Sequence, residues 1–334
     1  MPANRSAARA EELLAADLTP PRHVRPARAK RAAVAITVAA VGALLVGSSA
    51  AMTVMMSEHP NPGGSQSAAR MAAPPLPAAT ELPVPQVEQA AATRDICQLP
   101  DVIDALSARD DEGVVTGAGG GEAFRDAVIG GHAPCISLND PVWTWVVVNK
   151  TRPFAPIDYR PAKLVLPDGV RSLEGGFLRS DAASALTAMV AAAKKAGVGE
   201  IAMESGFRSF STQQTSYGNQ VGQRGVAGAD LVSARPGYSE HQSGLAADLV
   251  ACNGGCGTLD QLATTAQGAW LKAHAWQYGW IVRYERGHTD TTGYLAEPWH
   301  VRFIGVGLAQ AYHAGGWHSL EDFFALPKAP GYLG

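Results

Sequence analysis

The stretch Arg235-Pro-Gly-Tyr-Ser-Glu-His-Gln-Ser-Gly-Leu-Ala-Ala-Asp248 places an imidazole and a carboxylate seven residues apart among small side chains. Further along the chain, Glu297-Pro-Trp-His300 adds a second imidazole. Two imidazoles and one carboxylate form a ligand set for a catalytic zinc ion, with one coordination position left open for water. Each half is weak alone, but together they predict Zn²⁺ as cofactor and His241, Asp248 and His300 as its ligands.

Three further residues are candidates for catalytic or substrate-binding roles near such a metal. Glu297 stands beside the second histidine and is predicted to be the general base that takes a proton from water. Arg208 follows a predicted strand and a glycine, where it can hold an anionic group or a developing oxyanion; a surface salt bridge is its alternative role. Ser239 is a candidate for substrate binding or, alternatively, a simple turn residue. Glu240 and Gln242 are expected to contact neither metal nor substrate.

The pattern of apolar residues from about residue 99 onward indicates both helices and strands. Residues 180–196 are rich in alanine, with larger apolar residues at helical spacing, and predict a long helix. Strands are predicted at 145–148, 201–204, 280–284 and 299–304, and further helices at 99–109, 122–129, around 217–223, within 259–278 and at 307–314. Because regular βαβ alternation is missing, we expect an α+β fold with a mainly antiparallel sheet flanked by helices.

The N-terminal part of the chain differs in composition from the rest. Residues 1–31 are basic and are predicted to form a cytoplasmic tail, and residues 32–56 lack charge and are long enough to span a bilayer. Residues 57–94, rich in Pro and Ala, are predicted to be a linker, and residues 95–334 an extracytoplasmic domain with its core at 140–315. We expect a single-pass membrane anchor; a cleaved signal peptide, which would leave a secreted protein, is the alternative.

All four cysteines follow the apolar segment, in a compartment where disulfides persist. Three pairings are open. Cys252-Asn-Gly-Gly-Cys256 suits a local bridge across a tight turn, which leaves Cys97 to pair with Cys135. A four-cysteine zinc site is the rival interpretation, but no two cysteines have CxxC spacing.

Composition and motifs also exclude several classes of function. The net charge is −3, and no basic patch interleaved with aromatic residues occurs in the C-terminal part, so nucleic acid is not an expected partner. Gly117-Ala-Gly-Gly-Gly121 lacks the Lys-Ser/Thr of a phosphate-binding loop and is expected to be a flexible connection. Ser-x-x-Lys, Lys-Thr-Gly and Gly-x-Ser-x-Gly are absent from the sequence, which argues against a serine hydrolase.

Three motifs in this order resemble the VanY-type zinc D-alanyl-D-alanine carboxypeptidases. They are Ser205-Gly-Phe-Arg-Ser-Phe-Ser-Thr-Gln213, Tyr238-Ser-Glu-His-Gln-Ser-Gly-Leu-Ala-Ala-Asp248 and Glu297-Pro-Trp-His300. Trp145-Val-Val-Val-Asn-Lys-Thr-Arg-Pro resembles the first segment of that domain, so the likeness covers roughly residues 140–315.

The resemblance implies the D-alanyl-D-alanine peptidase fold, which hedgehog signalling domains share. It implies the same zinc ligands, Glu297 as catalytic base, Arg208 as the residue that stabilises the substrate carbonyl, and Ser239 and Gln213 as substrate-binding residues. We therefore expect a monomeric, membrane-tethered carboxypeptidase that removes the terminal D-alanine of peptidoglycan stem peptides. The alternatives are an L,D-carboxypeptidase or endopeptidase on the same scaffold, or a non-catalytic wall-binding or signalling module.

Overall fold

The computed structural model describes residues 95–333. The predicted cytoplasmic tail, the predicted transmembrane segment at 32–56 and the predicted linker at 57–94 lie outside these residues. Within them, no helix is both long and apolar enough to cross a membrane.

Nine α-helices occur in the described part of the chain. They are α1 (Pro100–Ala108), α2 (Asp111–Gly117), α3 (Gly121–Ile129), α4 (Ser180–Lys195), α5 (Phe210–Asp230), α6 (Ala266–His274), α7 (Thr289–Thr292), α8 (Val306–Ala314) and α9 (Leu320–Phe323). Helix α5 consists of two helical segments joined by a kink at Gly225, which has a φ of 69° and a ψ of 171°. The strands are β1 (Leu164–Val165), β2 (Leu178–Arg179), β3 (Glu200–Ser205), β4 (Ala246–Asn253), β5 (Gly255–Cys256), β6 (Trp280–Tyr284) and β7 (Glu297–Phe303). Short 3-10 turns at Ile96–Gln98, Glu240–Ser243, Leu259–Thr264 and Ala275–Tyr278 complete the elements.

The main sheet has the strand order β3-β4-β7-β6, with β5 paired to β4, and all its pairings are antiparallel. Strands β1 and β2 form a separate antiparallel pair. This arrangement confirms the predicted α+β class with a mainly antiparallel sheet flanked by helices. The bounds of α4, β3, β6 and α8 differ from the predicted ones by at most one residue at each end.

Helix α4 covers one face of the main sheet. Its alanine-rich inner side and Leu186 pack with Ile201 and Met203 of β3, Leu249 of β4 and Val301 of β7 in one apolar core. Because side chains alternate across a strand, the residues between these apolar positions project to the opposite face. Asp248 and His300 are such intervening residues, so the sheet separates the predicted metal ligands from this core.

A second apolar core lies between the N-terminal helices and the C-terminal part of the domain. Val102 of α1 and Phe124 of α3 are fully buried there, together with Trp145, Ile304 and Leu308. Hydrogen bonds also tie the helices to the rest, because the Asp111 carboxylate accepts from Thr144 N at 2.9 Å and pairs with Arg179 at 2.8 Å. Residues 95–139, which lie outside the resemblance noted above, are therefore packed as part of the same domain.

The glycine-rich segment between α2 and α3 forms a short turn. A Cβ at Gly121 would lie 2.1 Å from the carbonyl oxygen of Gly307, so glycine is needed where α3 meets α8. The segment is a connection, as predicted, but the close packing at its end differs from the flexible connection that we expected.

Trp145–Val148 is not a strand, contrary to the prediction. The four side chains are buried, and they alternate between the two cores, with Val146 and Val148 in one and Trp145 and Val147 in the other. Their carbonyl groups are not paired in a ladder: Val146 O accepts from Arg302 and Val147 O from Arg152. Side-chain guanidinium groups thus replace the neighbouring strand that the apolar pattern suggested.

The structure contains both expected disulfides, Cys97–Cys135 and Cys252–Cys256, and the described residues include no free cysteine. The first links the 3-10 turn before α1 to the segment after α3. The second closes the turn between β4 and β5.

Candidate active site

Three neighbouring strands bring one residue each to the same level of the sheet. Asp248 on β4 is directly opposite His300 on β7 and opposite Ser205 at the end of β3. Ser205 Oγ donates to Asp248 Oδ2 at 2.6 Å. A β-bulge at the end of β3 shifts the register between Met203 and Ser205, which brings Ser205 opposite the aspartate.

The 3-10 turn that precedes β4 supplies the third ligand, His241. The turn ends at Gly244, which has a φ of 69°. A Cβ there would lie 3.0 Å from Leu164 and 3.1 Å from Arg179 N, in addition to the unfavourable φ. The glycine of the motif thus lets the chain turn sharply against β1 and β2 and brings His241 to within 3.2 Å of Asp248.

Glu297 reaches the site because β7 is bulged. Val282 pairs with Val301 and Tyr284 with Glu297, so β7 has two more residues than β6 between these pairs. Pro298, which has no N–H to contribute to a ladder, falls within this irregular part. The extra length lets Glu297 Oε2 lie 3.7 Å from His300 Nδ1, although the two residues are three apart in a strand.

His241, Asp248 and His300 form a group that can hold a metal ion. They are buried, and they are the one cluster of three or more His, Cys, Asp or Glu residues with ligand spacing in residues 95–333. The distances from His241 Nε2 to Asp248 Oδ2 and from His300 Nδ1 to Asp248 Oδ1 are both 3.2 Å. Two ligands at about 2.0–2.1 Å from a tetrahedral zinc ion are about 3.3 Å apart.

The state of Asp248 supports the same interpretation. Its Oδ1 atom is buried and accepts no hydrogen bond. Although burial opposes ionisation, the His241 and His300 imidazoles hold the pKa of Asp248 well below its usual range. A buried carboxylate with an oxygen that lacks a hydrogen-bond partner fits a cation between the three side chains, and the predicted zinc ligand set is therefore brought together as one site.

Both imidazoles have a partner on the side away from the metal position. His241 Nδ1 lies 2.7 Å from the carbonyl oxygen of Gly206, and His300 Nε2 lies 3.2 Å from Glu240 Oε2. Burial lowers the pKa of His241. Burial also acts to lower the pKa of His300, but the neighbouring carboxylates of Asp248 and Glu240 outweigh this effect and raise the value to about 9. A metal ion must therefore displace a proton from His300 at neutral pH.

Glu297 has the properties of a general base. Its burial raises the pKa to about 7, an effect that His300 opposes and Asp248 reinforces. A carboxylate with a pKa near neutrality can both accept a proton and return it. It lies beside a ligand without completing the ligand group.

Arg208 is fixed near the metal ligands by two contacts. Its Nη2 atom lies 3.7 Å from Asp248 Oδ2, and its Nη1 atom donates to Gln213 Oε1 at 3.0 Å. Gln213 is fully buried on α5 and donates in turn to the carbonyl oxygen of Ala234 at 2.6 Å. Gln213 thus orients Arg208, and its role in substrate binding stays a prediction.

A cavity of about 370 Å³ opens on this group. Within the described residues, Arg208 is the one Lys or Arg side chain in its lining. Ser239 contributes to the wall, as do Tyr284, Tyr294 and Glu174. The tyrosine pKa values are raised well above their usual range by burial, so both hydroxyl groups stay protonated and can donate to a substrate.

Three residues around the site, Ser205, Glu240 and Tyr284, were not among the predicted site residues. Ser205 could have been predicted, because it is the first residue of the motif that contains Arg208. Glu240 lies between two predicted site residues and was expected to bind neither metal nor substrate; it contacts His300 instead. Tyr284, whose ring centroid lies 5.0 Å from that of His300, could not be predicted as a site residue because it lies outside the three motifs.

Residues 176–306 match the family model described as VanY, D-alanyl-D-alanine carboxypeptidase. This segment includes all the predicted metal, catalytic and substrate-binding residues.

Two relatives and one solved structure show how far the similarity extends. The putative carboxypeptidase YodJ of Bacillus subtilis (strain 168) is 36% identical over 196 residues, which are 58% of this chain and 71% of YodJ. A D-alanyl-D-alanine carboxypeptidase of Enterococcus faecalis (strain ATCC 700802 / V583) is 30% identical over 198 residues, 56% of this chain and 67% of the relative. The solved structure of the LD-carboxypeptidase LdcB superposes on this chain with a TM-score of 0.51 and 36% sequence identity. The match covers 55% of this chain and 87% of the LdcB chain.

Proposed function

Because this chain belongs to the VanY family of D-alanyl-D-alanine carboxypeptidases, we propose that it removes the terminal D-alanine from peptidoglycan stem peptides with a bound zinc ion. Family membership confirms the predicted resemblance and makes the chain an enzyme of the carboxypeptidase class. The substrate and the bond that is cut are the proposal.

One observation in particular supports the proposed hydrolytic function. Glu297 lies 3.7 Å from His300, and both line the cavity that also exposes His241 and Asp248. A module that only binds the cell wall needs no carboxylate with a pKa of about 7 next to a metal ligand. The pairing of a buried base with a metal-ligand group is what hydrolysis requires.

The residues divide the chemistry between them. His241, Asp248 and His300 would hold the zinc ion, which would supply a polarised scissile carbonyl and a water molecule with its pKa lowered to about 7. Glu297 would accept the proton of that water and return it to the leaving amine. Arg208, which Gln213 orients, stabilises negative charge at the carbonyl oxygen. The carboxylate of a C-terminal D-alanine also suits a cavity in which Arg208 is the cationic group.

A specific observation favours an L,D-carboxypeptidase as the second candidate. The chain is 36% identical to the LD-carboxypeptidase LdcB and 30% identical to the Enterococcus faecalis D-alanyl-D-alanine carboxypeptidase. Both activities release D-alanine, and they differ in whether the residue before it is D-alanine or the third residue of the stem peptide.

Defined stem peptides separate the two candidates. The zinc-loaded protein is incubated with a pentapeptide ending in D-alanyl-D-alanine and, separately, with the tetrapeptide that lacks the last D-alanine. Products are identified by mass. We expect the pentapeptide to lose one D-alanine, and this loss to disappear in Glu297→Gln while zinc stays bound.

The other outcomes are equally informative. Cleavage of the tetrapeptide alone would replace the proposal with L,D-carboxypeptidase activity. Release of an internal fragment would indicate an endopeptidase. No cleavage of any stem peptide, with zinc bound, would leave the non-catalytic module and reject the enzyme proposal.

We also propose, from the sequence, that residues 32–56 anchor the protein in the membrane and that the domain acts as a monomer outside the cytoplasm. Peptidoglycan lies there, and Cys97–Cys135 and Cys252–Cys256 are consistent with an oxidising compartment. Protease added to intact cells should degrade the domain, and the mature N-terminus distinguishes a retained anchor from a cleaved signal peptide. Resistance of the domain to external protease would contradict this location.

A further inference from the structure

His300 has a charged partner that plays no part in the chemistry proposed above. Its Nδ1 atom faces Asp248 and Glu297, and its Nε2 atom lies 3.2 Å from Glu240 Oε2 on the opposite side of the ring. The Glu240 side chain has no solvent exposure. The ring therefore lies between the metal position and a buried carboxylate.

Two arginines fix the orientation of that carboxylate. Glu240 Oε1 accepts from Arg283 Nε and from Arg302 Nη1, each at 2.9 Å, which leaves Oε2 for the histidine. Glu321 holds Arg283 through two hydrogen bonds, at 3.0 and 2.8 Å. The carbonyl groups of Thr144 and Val146 hold Arg302 at 2.9 and 2.8 Å. Neither glutamate nor either arginine exposes its side chain to solvent.

A network of this kind is a poor source of stability. Each ion loses its hydration on burial, and buried ion pairs often stabilise a fold no more than apolar residues of similar volume. The network instead fixes the orientation of the Glu240 carboxylate, because each of its oxygens has a hydrogen-bond partner. The partner of Oε2 is His300, a predicted metal ligand.

We propose that Glu240 is a positioning residue for the metal site: it accepts the Nε2 proton of His300 and so directs the Nδ1 lone pair toward the metal. The inference rests on the zinc site of the proposed function but not on its substrate. Arg283 and Arg302 act through Glu240, and Glu321 holds Arg283 and also accepts from Asn149 Nδ2 at 2.9 Å.

Glu240→Gln is the informative substitution because it conserves shape. Glutamine has one oxygen, and the two charged guanidinium groups compete for it more strongly than a neutral imidazole does. Its NH₂ group then faces His300 Nε2, which can accept only if the ring proton moves to Nδ1. That tautomer cannot bind a metal through Nδ1.

The test measures zinc affinity of the full chain by competition with a chromophoric chelator. Loss of a partner behind a metal-bound histidine typically costs about 10–100-fold in metal affinity, and we expect this loss for Glu240→Gln. Glu321→Gln is the matched control, because it removes a carboxylate from the same network without touching His300. We expect its zinc affinity to stay within about threefold of the wild type although its unfolding free energy falls.

A second variant and a measurement on the unmodified chain keep the test decisive if Glu240→Gln does not fold. Glu240→Asp keeps both oxygens but shortens the reach, and it should show an intermediate zinc affinity. In the zinc-loaded wild type, NMR should detect a downfield, slowly exchanging Nε2 proton on His300. Absence of that proton, or equal zinc affinities in Glu240→Gln and Glu321→Gln, would overturn the proposal.

These results are separable from a failure of the proposed function. A chain that binds zinc as expected but cleaves no stem peptide would reject the function and leave the role of Glu240 intact.

Discussion

Glu297 and Glu174 both line the cavity, but of the two it is Glu297 that lies beside a metal ligand. Glu297→Gln keeps the size and polarity of the side chain and removes its basicity. We expect kcat to fall by about 10²–10⁴-fold, the usual contribution of a general base, with zinc affinity nearly unchanged. Release of D-alanine from stem peptides and zinc content measure the two effects.

Glu174→Gln is the matched control for this substitution. It removes a carboxylate from the same cavity without contacting His300, and kcat should stay within a few-fold of the wild type. An equal loss in both variants would mean that the general charge of the cavity matters rather than a base at position 297.

The raised pKa of Glu297 predicts a pH dependence. The residue accepts a proton only when it is ionised, and burial raises its pKa to about 7. Activity of the zinc-loaded protein should therefore fall as the pH decreases through this region, because the base becomes protonated. The residual activity of Glu297→Gln should lack this acid limb; an identical limb in both proteins would assign it to another group.

At the residue scale, the metal ligands could be predicted because two short motifs, each weak alone, together supply the two imidazoles and one carboxylate that suit zinc. Glu240 could not, because its role depends on Arg283 and Arg302, which come from strands far away in sequence. The residues next to Glu240 in the sequence do not indicate which charged side chains will contact it in the folded protein. The contact of Gln213 with Ala234 could not be predicted for a similar reason, since Ala234 lies beyond helix α5; its role in substrate binding stays a prediction.

Among the elements, helix α8 is stabilised by a residue of the N-terminal helices. The Glu112 carboxylate accepts from the backbone N–H groups of Val306 and Gly307, the first residues of the helix. Loss of such a cap typically costs about 0.5–2 kcal/mol, and a carboxylate also interacts favourably with the helix dipole. Glu112→Ala should lower the free energy of unfolding in urea by about this amount without changing zinc affinity.

Glu122→Ala serves as the control for Glu112→Ala. Glu122 lies in the first turn of α3 and is exposed, so its loss should change stability much less. Equal losses would show that the contact with α8 contributes nothing.

Helices and strands with a regular apolar periodicity could be predicted from the sequence. Segments in which tertiary contacts override the local sequence preference could not. Helix α4 follows its alanine-rich pattern closely. Residues 145–148 have the composition of a strand, but Arg302 and Arg152 satisfy carbonyl groups that a neighbouring strand would otherwise pair. Strand β4, at the centre of the site, was not predicted because its sequence of small residues around Asp248 lacks the β-branched, alternating pattern.

At the scale of the whole molecule, the N-terminal helices complete the second apolar core. The ring centroid of Phe124 lies 5.1 Å from that of Trp145, with the ring planes tilted by 50°, and the same core includes Ile304 and Leu308. A fragment of residues 140–333 would expose that surface to water. We expect it to aggregate or to unfold at much lower urea concentration than residues 95–333, as measured by circular dichroism. A stable, cooperative fragment would contradict the assignment of one domain.

The proposed activity requires that the buried group of His241, Asp248 and His300 holds the zinc ion with which Glu297 removes a C-terminal D-alanine. The most direct measurement is the release of D-alanine from a pentapeptide by chelator-treated protein to which zinc is added back. We expect no release without metal, full activity at one zinc per chain, and no release from His300→Ala at that ratio. Release of D-alanine by the metal-free protein, or undiminished release by His300→Ala, would contradict the proposal.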